Sequence, residues 1–430
     1  MTEHTSQLDV THGVSFKFNE KQKQAYELMV NRKNVFVTGP GGVGKTVVIK
    51  FFRTMNSMKR NIGMTSTTGT SAILLAGTTL HSFLGIGYGR ESVEVLYSKI
   101  MKRPHIRKRW IDLDCLIIDE ISMLDPDLFD KVEILARKIR QSLRPFGNIQ
   151  LILSGDFLQL PCVGTDTFCF EADSWDRCVT NTIYLTEIIR QDDKLFQTCL
   201  NKVRIATIDK EVRNLLDSRK GIVLTNEHGI KPTKLFPTNY DVDRINNMEL
   251  DKLALEGVEF YQYDMDIKVV SSVSNKQAVI ERFKKNCTAK DELQLCVGAQ
   301  VMLLKNLDLD NGLCNGSRGV VTKFIDEKPV VKFLNGQERV IMDEIWEVEE
   351  NDKPILRAIQ IPLKVAYAIS IHKSQGDSLD YAEIDLSSIF ECGQAYVALS
   401  RIKNIEGLSV IDIDYDKIKA HPKALEFYGH

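Results

Sequence analysis

No apolar run in these 430 residues approaches the roughly 20 that a helix needs to cross a bilayer. The opening segment MTEHTSQLDV has neither the apolar stretch of a secretory signal nor the arginines of a transit peptide. The expectation is an intracellular, soluble protein with no membrane partner, with nucleus, mitochondrion and cytoplasm left open. A surplus of positive charge is also missing, since 56 Lys and Arg stand against 58 Asp and Glu. No global field draws the chain to a polyanion, so any nucleic acid must be held by a local groove. The 9 cysteines include no CxxC pair. An odd, scattered set fits neither a disulfide framework nor a zinc site and reads as reduced, mostly buried thiols.

What is present is enough apolar material, 43% of residues, for two or three ordinary domains. Residues 1–14 are polar and aperiodic and are expected to form a flexible tail. After them apolar runs alternate with helical patterns: NVFVT, a helix from Lys45, NIGMTS, CLIIDE, a helix near Leu128 to Arg140, and IQLILSGD. Such alternation predicts a parallel sheet covered by helices. NTIYLTE, TKLFPT, AYAISIH, YAEIDL and LSVIDI repeat the pattern. The fold class is therefore α/β, with a first domain over 15–188 and a second over 189–430. A small insertion at about 88–109 interrupts the first. Turn signals such as LDNGLCNGSRG and FLNGQERV between short β-like runs predict a β-rich, barrel-like insertion in the second, at about 252–354.

Gly39-Pro40-Gly41-Gly42-Val43-Gly44-Lys45-Thr46 fits GxxxxGK[ST] directly after one predicted strand and directly before a helix, the context a P-loop requires. Glycines let backbone N–H groups converge on phosphate oxygens, Lys45 neutralises the β and γ phosphates, and the Thr46 hydroxyl can coordinate Mg²⁺. The run CLIIDE ends in Asp119-Glu120, two carboxylates at the C-terminal edge of a parallel sheet, where such sheets bind ligands. Asp119 is the candidate for holding Mg²⁺ and Glu120 for orienting and deprotonating the attacking water. Gln159, after the strand IQLILSGD, is placed to sense the γ-phosphate and water.

In their order these motifs resemble the Pif (petite integration frequency) helicases of superfamily 1, relatives of the RecD-like helicases. FNEKQ, with Gln22, resembles the adenine-reading segment. TSTTGTSAILLAGTTLHSFLGIG resembles the first DNA-contacting motif, and DEISMLDPDLFDKVEILARKIR followed by PFGNIQLILSGDFLQLPCV resembles the stretch between the second and third motifs. LTEIIRQDD, LFPTNYDVDRINN, the pair LQLCVGAQVMLLKNLD and GLCNGSRGVV, PLKVAYAISIHKSQGDSLD and GQAYVALSR resemble the remaining motifs and the inserted domain. The resemblance implies two RecA-like motor domains. It also implies ATP-driven unwinding of DNA with 5′-to-3′ translocation on a single strand, by a monomer using ATP and Mg²⁺. Arg190 and Arg401, on the second motor, are implied to reach the γ-phosphate, and Gly376 to lie at the nucleotide. The DNA contacts implied are Thr67, Thr68, Gly69, His81, Phe83, Pro237, Thr238, Asn239, His372, Lys373 and Ser374, which offer hydroxyls, backbone N–H groups and an occasional ring to a strand. Duplex or forked DNA is the second expected partner. The basic run from Lys102 to Arg109 reads as a solvated surface or a duplex contact.

Two other functions use the same motifs. A P-loop ATPase that remodels another substrate would normally form a ring and receive its arginine from a neighbour, whereas here both arginines and both sheets occur in one chain. A nucleic-acid binder with a degenerate ATP site would not keep Lys45, Thr46, Asp119, Glu120, Gln159 and Arg401 together. A DNA-stimulated translocase without unwinding activity stays open on sequence grounds.

Overall fold

The structure, a computed structural model, describes residues 18–162, 164–191, 193–224, 230–270, 276–308, 311, 313, 315–350, 353–376 and 378–430. The tail expected at 1–14 lies outside them, as does part of the turn segment LDNGLCNGSRG. The chain divides into two compact units, Met1–Arg190 and Gln191–His430. This break falls two residues after the expected one, so Arg190 closes the first unit and does not open the second.

The strands of the first unit are β1 (Val35–Thr38), β2 (Ile62–Ser66), β3 (Thr78–Thr79), β4 (Cys115–Asp119), β5 (Gln150–Gly155) and β6 (Thr182–Tyr184). They form one sheet in the order β3-β2-β4-β5-β1-β6, with every pairing parallel. β1, β4 and β5 are buried along their whole length. Covered on both faces, they carry unbroken apolar runs where a half-exposed strand would alternate. The helices are α1 (Glu20–Val30), α2 (Lys45–Asn56), α3 (Gly69–Leu74), α4 (Leu80–Leu84), α5 (Val93–Met101), α6 (Pro104–Asp112), α7 (Pro126–Arg140) and α8 (Trp175–Cys178). α7 begins where it does because the Asp125 carboxylate accepts the N–H groups of Asp127 and Leu128 and Pro126 supplies a first turn that needs no donor. Its buried residues Leu128, Phe129, Val132, Leu135, Ala136 and Ile139 follow helical spacing and turn one face to the sheet.

The insertion expected at 88–109 is the helical pair α5 and α6 and runs on to Asp112, because Pro104 starts a helix that the basic residues continue. Arg140, at the end of α7, secures it. Its guanidinium donates to the carbonyls of Trp110 (2.8 Å), Ile111 (2.7 Å), Leu113 (2.9 Å) and Gly147 (2.8 Å), gathering carbonyls at the end of α6 that have no helical partner.

The second unit contains a parallel sheet in the order β18-β7-β19-β20, made of β7 (Thr233–Phe236), β18 (Ala368–Ser370), β19 (Ala382–Leu386) and β20 (Leu408–Ile413). Its helices are α9 (Lys194–Arg204), α10 (Lys210–Asp217), α11 (Asn239–Leu255), α12 (Lys276–Asn286), α13 (Gln394–Ser400) and α14 (Pro422–Phe427). Between α11 and β18 come β8 (Phe260–Asp264), β9 (Asp266–Val269), β10 (Glu292–Cys296), β11 (Gln300–Leu303), β12 (Arg318–Ile325), β13 (Lys328–Phe333), β14 (Glu338–Val340), β15 (Glu344–Glu350), β16 (Lys353–Gln360) and β17 (Leu363–Val365). All pair antiparallel, in sheets β10-β8, β14-β13-β12-β11-β17 and β15-β16-β9. Leu293, Leu295, Val301, Leu303, Val331, Phe333 and Leu363 are among the core residues shared by the first two sheets, while Leu356 and Ala358 of the third pack with Phe283 of α12 in a separate cluster.

The β-rich insertion therefore ends at Val365 and not near 354. The sequence PLKVAYAIS reads as one extended run, yet Leu363–Val365 pairs antiparallel with β11 while Ala368–Ser370 pairs parallel with β7. The change of sheet falls inside that run, where no Gly or turn signal marks it.

Arg140→Met keeps the aliphatic stem and removes the donors. It is expected to cost about 2 kcal/mol, the scale of hydrogen bonds from a charged group, with Arg140→Lys recovering only part of it because an ammonium lacks the planar fork. Thermal melts with hydrogen exchange across 104–113 test this, and unchanged protection there would mean that the helical pair holds without the guanidinium.

Candidate functional site

The C-terminal ends of β1, β5 and β4 lie side by side in the first unit, and each carries one expected element of the nucleotide site. After β1 the chain turns through Gly39 (φ +137°), Gly42 (φ +83°) and Gly44 (φ +82°) before α2 begins at Lys45. A Cβ on Gly39 would sit 2.1 Å from the carbonyl oxygen of Leu185 on the chain leaving β6, so only glycine fits there. Lys45 Nζ donates to the carbonyls of Gly39 (2.7 Å) and Pro40 (2.8 Å), holding the loop closed on its own cation. Thr46, half-buried, follows on the first turn of α2.

Asp119 ends β4, 5% exposed. Burial pushes its carboxyl above the usual carboxylate range, opposed by the Ser154 hydroxyl, the backbone N–H of Glu120 and the Lys45 and Lys50 ammonium groups. Glu120 follows with φ 56° and ψ 45°, in the left-handed region that a glutamate seldom occupies. Strain of this kind, on the order of 1–3 kcal/mol, persists only where neighbouring bonds impose it, and it collects at functional sites. Gln159 lies beyond β5, 5% exposed. Its backbone N–H donates to the Asp156 carbonyl (3.0 Å), and the preceding Phe157 anchors the segment among Phe36 (5.4 Å between ring centres), Phe170 (4.8 Å) and Trp175 (5.9 Å).

Gln22 is the N3 residue of the capping box that starts α1. Its Oε1 accepts the Asn19 N–H (3.1 Å), and its Nε2 donates to the Val43 carbonyl of the P-loop (3.1 Å). These two bonds use one lone pair and one hydrogen of the amide, whose expected role is to read adenine. Arg190, expected on the second motor, belongs to the first unit. The N–H groups of Ile189 and Arg190 both reach the Gly42 carbonyl (2.9 and 3.2 Å), which fastens this segment to the P-loop. Arg401, 2% exposed in the second unit, turns back on α13, with Nε donating to Val397 O (2.9 Å) and a terminal nitrogen to Ser400 Oγ (3.1 Å).

Sequence reasoning passed over Gln191. Its buried amide donates to the carbonyls of Ser400 (3.2 Å) and Ile402 (2.8 Å) on either side of Arg401. The only sequence signal was a glutamine directly after an arginine singled out for chemistry.

The expected DNA contacts separate into exposed and occupied groups. Gly69, Asn239 and Lys373 are exposed; Gly376, expected at the nucleotide and not at DNA, has φ 88°. His372 is half-buried, bonded through Nε2 to Glu391 (2.6 Å) and roughly parallel to the ring of Phe390, which is 68% exposed and was not foreseen. Thr238 caps α11, and its hydroxyl donates to Asp241 (2.7 Å). Pro237 is buried, its carbonyl accepting from Gln394 (3.4 Å).

Three residues differ from expectation. Ser374 is fully buried with its hydroxyl on the Ile371 carbonyl (2.7 Å), because the 3₁₀ turn at His372–Ser374 folds it inward. Phe83 lies against Gly63 of β2, where a Cβ would meet its ring at 2.6 Å, and beneath the Arg109 guanidinium at 5.2 Å. It packs the unit, and Arg109 of the basic run is spent on it. Both donors of Thr67 are used within the protein, the hydroxyl on the Glu120 carbonyl (2.8 Å) and the N–H on the Asp119 carbonyl (3.2 Å). Burial pushes the His81 imidazole below its ordinary value, leaving it uncharged at neutral pH.

A P-loop, a strand-end carboxylate pair and a sensor glutamine on adjacent parallel strands define a P-loop NTPase, here with a second parallel-sheet unit that carries a β-rich module. The family model described as PIF1-like helicase matches residues 17–221, and that described as DNA helicase Pif1, 2B domain matches residues 279–324. The ATP-dependent DNA helicase PIF1 of Xenopus laevis is 41% identical over 421 residues, covering 96% of this chain and 64% of that protein. The uncharacterized protein 030L of Invertebrate iridescent virus 6 is 40% identical over 501 residues, covering 96% and 94%. Among solved structures, the Pif1 helicase from Candida albicans superposes with a TM-score of 0.86 at 34% identity, over 96% of this chain and 99% of that one. A Bacteroides Pif1 in complex with ADP-AlF3 and ssDNA gives 0.71 at 29% identity, over 96% and 97%. The chain belongs to the PIF1-like helicases, and its two units are RecA-like motor domains. It spans about two thirds, 64%, of the Xenopus relative.

Gly39→Ala must displace either the P-loop or the chain leaving β6. Strain on the order of 1–3 kcal/mol is expected to weaken nucleotide binding by about tenfold or more. Titration with a fluorescent ATP analogue measures it, and wild-type affinity would show that the loop absorbs a methyl group.

Proposed function

We propose that the chain is an ATP-dependent DNA helicase that translocates on single-stranded DNA from 5′ to 3′ and separates duplex or forked DNA as a monomer. The observation that carries this reading is the convergence of the P-loop, Asp119-Glu120 and Gln159 at adjacent strand ends, in a chain whose similarity to named ATP-dependent DNA helicases runs nearly end to end. The Bacteroides relative solved with ADP-AlF3 and ssDNA supports the same pair of ligands.

The residues fit Mg²⁺. A hydroxyl at Thr46 and one carboxylate at Asp119 are hard oxygen donors, and no larger group of His, Cys, Asp and Glu forms a protein cage among the described residues. Such a partial set suits an ion that keeps waters and shares phosphate oxygens. When bound, it supplies charge neutralisation at the β and γ phosphates. Lys45 leaves its loop carbonyls for the phosphates, Gln159 orients the attacking water, and Glu120 accepts its proton. Arg190, from beside the P-loop, and Arg401, from the second motor, stabilise charge on the transferring phosphoryl group. Because Arg401 is held on its own helix by two hydrogen bonds, its arrival is a step that must be driven, and hydrolysis becomes tied to rearrangement of the motor. The 5′-to-3′ sense rests on family resemblance.

Glu120→Gln is expected to abolish turnover while leaving nucleotide-free affinity for single strands within about twofold. Arg401→Ala is expected to lower DNA-stimulated kcat by about 100-fold or more with a smaller effect on ATP affinity. Wild-type ATPase in the first variant, or a loss confined to ATP affinity in the second, would remove the assigned role. Unwinding of duplexes with only a 5′ or only a 3′ tail tests polarity. Opening from the 3′ tail alone reverses it, and failure with both despite DNA-stimulated ATPase leaves a translocase.

A further inference from the structure

The run Thr65-Ser66-Thr67 places three consecutive hydroxyls beside the strand that carries the catalytic carboxylates. β2 and β4 are parallel, with Thr65 opposite Ile118 and Ser66 opposite Asp119. Thr65 Oγ1 donates to the Ile117 carbonyl (2.6 Å), Ser66 Oγ to the Asp119 carbonyl (3.2 Å) and Thr67 Oγ1 to the Glu120 carbonyl (2.8 Å). The first two bonds reinforce a strand pairing that the backbone already makes. The third lies beyond the end of both strands, and its acceptor belongs to the residue with φ 56° and ψ 45°. A glutamate has no intrinsic preference for that conformation. The bond from Thr67 holds the peptide that follows Glu120 and so contributes to the direction of its side chain.

A threonine has one hydroxyl hydrogen and one backbone hydrogen, and both of Thr67 are spent, so it has no donor left for a phosphate. Beyond it the Thr68 hydroxyl donates to Ser71 Oγ (3.0 Å) and accepts the Ser71 N–H (3.2 Å), and the next residue, Gly69, is exposed. Thr67 thus directly precedes Thr68-Gly69, the surface assigned to DNA, and its hydroxyl ends on the backbone of Glu120.

We infer that Thr67 is a positioning residue for Glu120, not a DNA contact, and that its hydroxyl is the connection by which a strand lying along Thr68-Gly69 raises the rate of hydrolysis. This rests on the reading of Glu120 as the group that activates water. A shift of the backbone at 68–69 is passed through a 2.8 Å hydrogen bond to the peptide of Glu120. No donor on DNA needs to approach the nucleotide.

The test compares Thr67→Val, which keeps shape and removes the hydroxyl, Thr67→Ala, and Thr67→Ser, which keeps the hydroxyl. ATPase is measured in the whole chain with saturating oligo-dT, together with nucleotide-free oligo-dT affinity and a thermal melt. Val and Ala are expected to lower DNA-stimulated kcat about tenfold, with KM for ATP and oligo-dT affinity within about twofold, and Ser to restore most of kcat. Weakened oligo-dT affinity with full kcat at saturating DNA would make Thr67 a phosphate contact, and unchanged values throughout would make its hydroxyl idle; either overturns the inference. If Val melts early, the comparison of Ala with Ser decides, since both lack the γ-methyl group and differ only in the hydroxyl. Glu120→Gln is run beside them. If that variant hydrolyses ATP normally, the reading of Glu120 fails by itself, whereas a dead Glu120→Gln with a fully active Thr67→Val rejects only the connection.

Discussion

A carboxylate buried at the end of a sheet is the constraint from which the first unit follows. Removing Asp119 from water costs several kcal/mol unless charge and hydrogen bonds are brought to it. The Lys45 and Lys50 ammonium groups on α2, the backbone N–H of Glu120 and the neighbouring Ser154 on β5 offset only part of that cost, and the carboxyl stays above the usual range. They come from α2, β5 and the turn after β4, and β5 lies directly against β4. The sheet order, the glycine turns before α2 and the left-handed backbone after β4 all keep opposite charges close in a place with little water. Chemistry at that edge acts on groups whose solvation has already been given up.

Much of the proposed machinery makes hydrogen bonds within the protein itself. Lys45 rests on two loop carbonyls, Gln22 on Val43 and Arg401 on its own helix. These bonds hold polar groups that would otherwise be costly to bury. On the proposed roles, Lys45 and Arg401 exchange theirs for charge-assisted bonds to phosphate, whereas Gln22 can keep its own.

The nucleotide site was legible in the sequence because its parts are local. Eight consecutive residues make the P-loop, and two carboxylates end one apolar run, so spacing alone placed them at strand ends. The alternation of apolar runs gave both parallel sheets for the same reason. What could not be read was the direction of side chains set by tertiary contacts. Ser374, Thr67 and Phe83 have the chemistry of DNA contacts, yet each turns inward, toward the Ile371 carbonyl, the Glu120 carbonyl and Gly63 respectively. Gln191 and Phe390 were missed for the converse reason, since neither residue type points to chemistry at its position and one matters by being buried and the other by being exposed. The end of the β-rich insertion escaped notice because one extended run of sequence serves two sheets.

The left-handed backbone of Glu120 has an evolutionary corollary. Glycine or asparagine would adopt φ 56° and ψ 45° more readily than glutamate does. On the role proposed for Glu120, the residue best for folding at this position is not the one best for turnover. Random mutation filtered only for stability would drift away from glutamate, and a lineage that lost the need to hydrolyse ATP would gain stability by giving it up. A glycine or asparagine here, in a chain otherwise like this one, would mark a motor that has become a clamp.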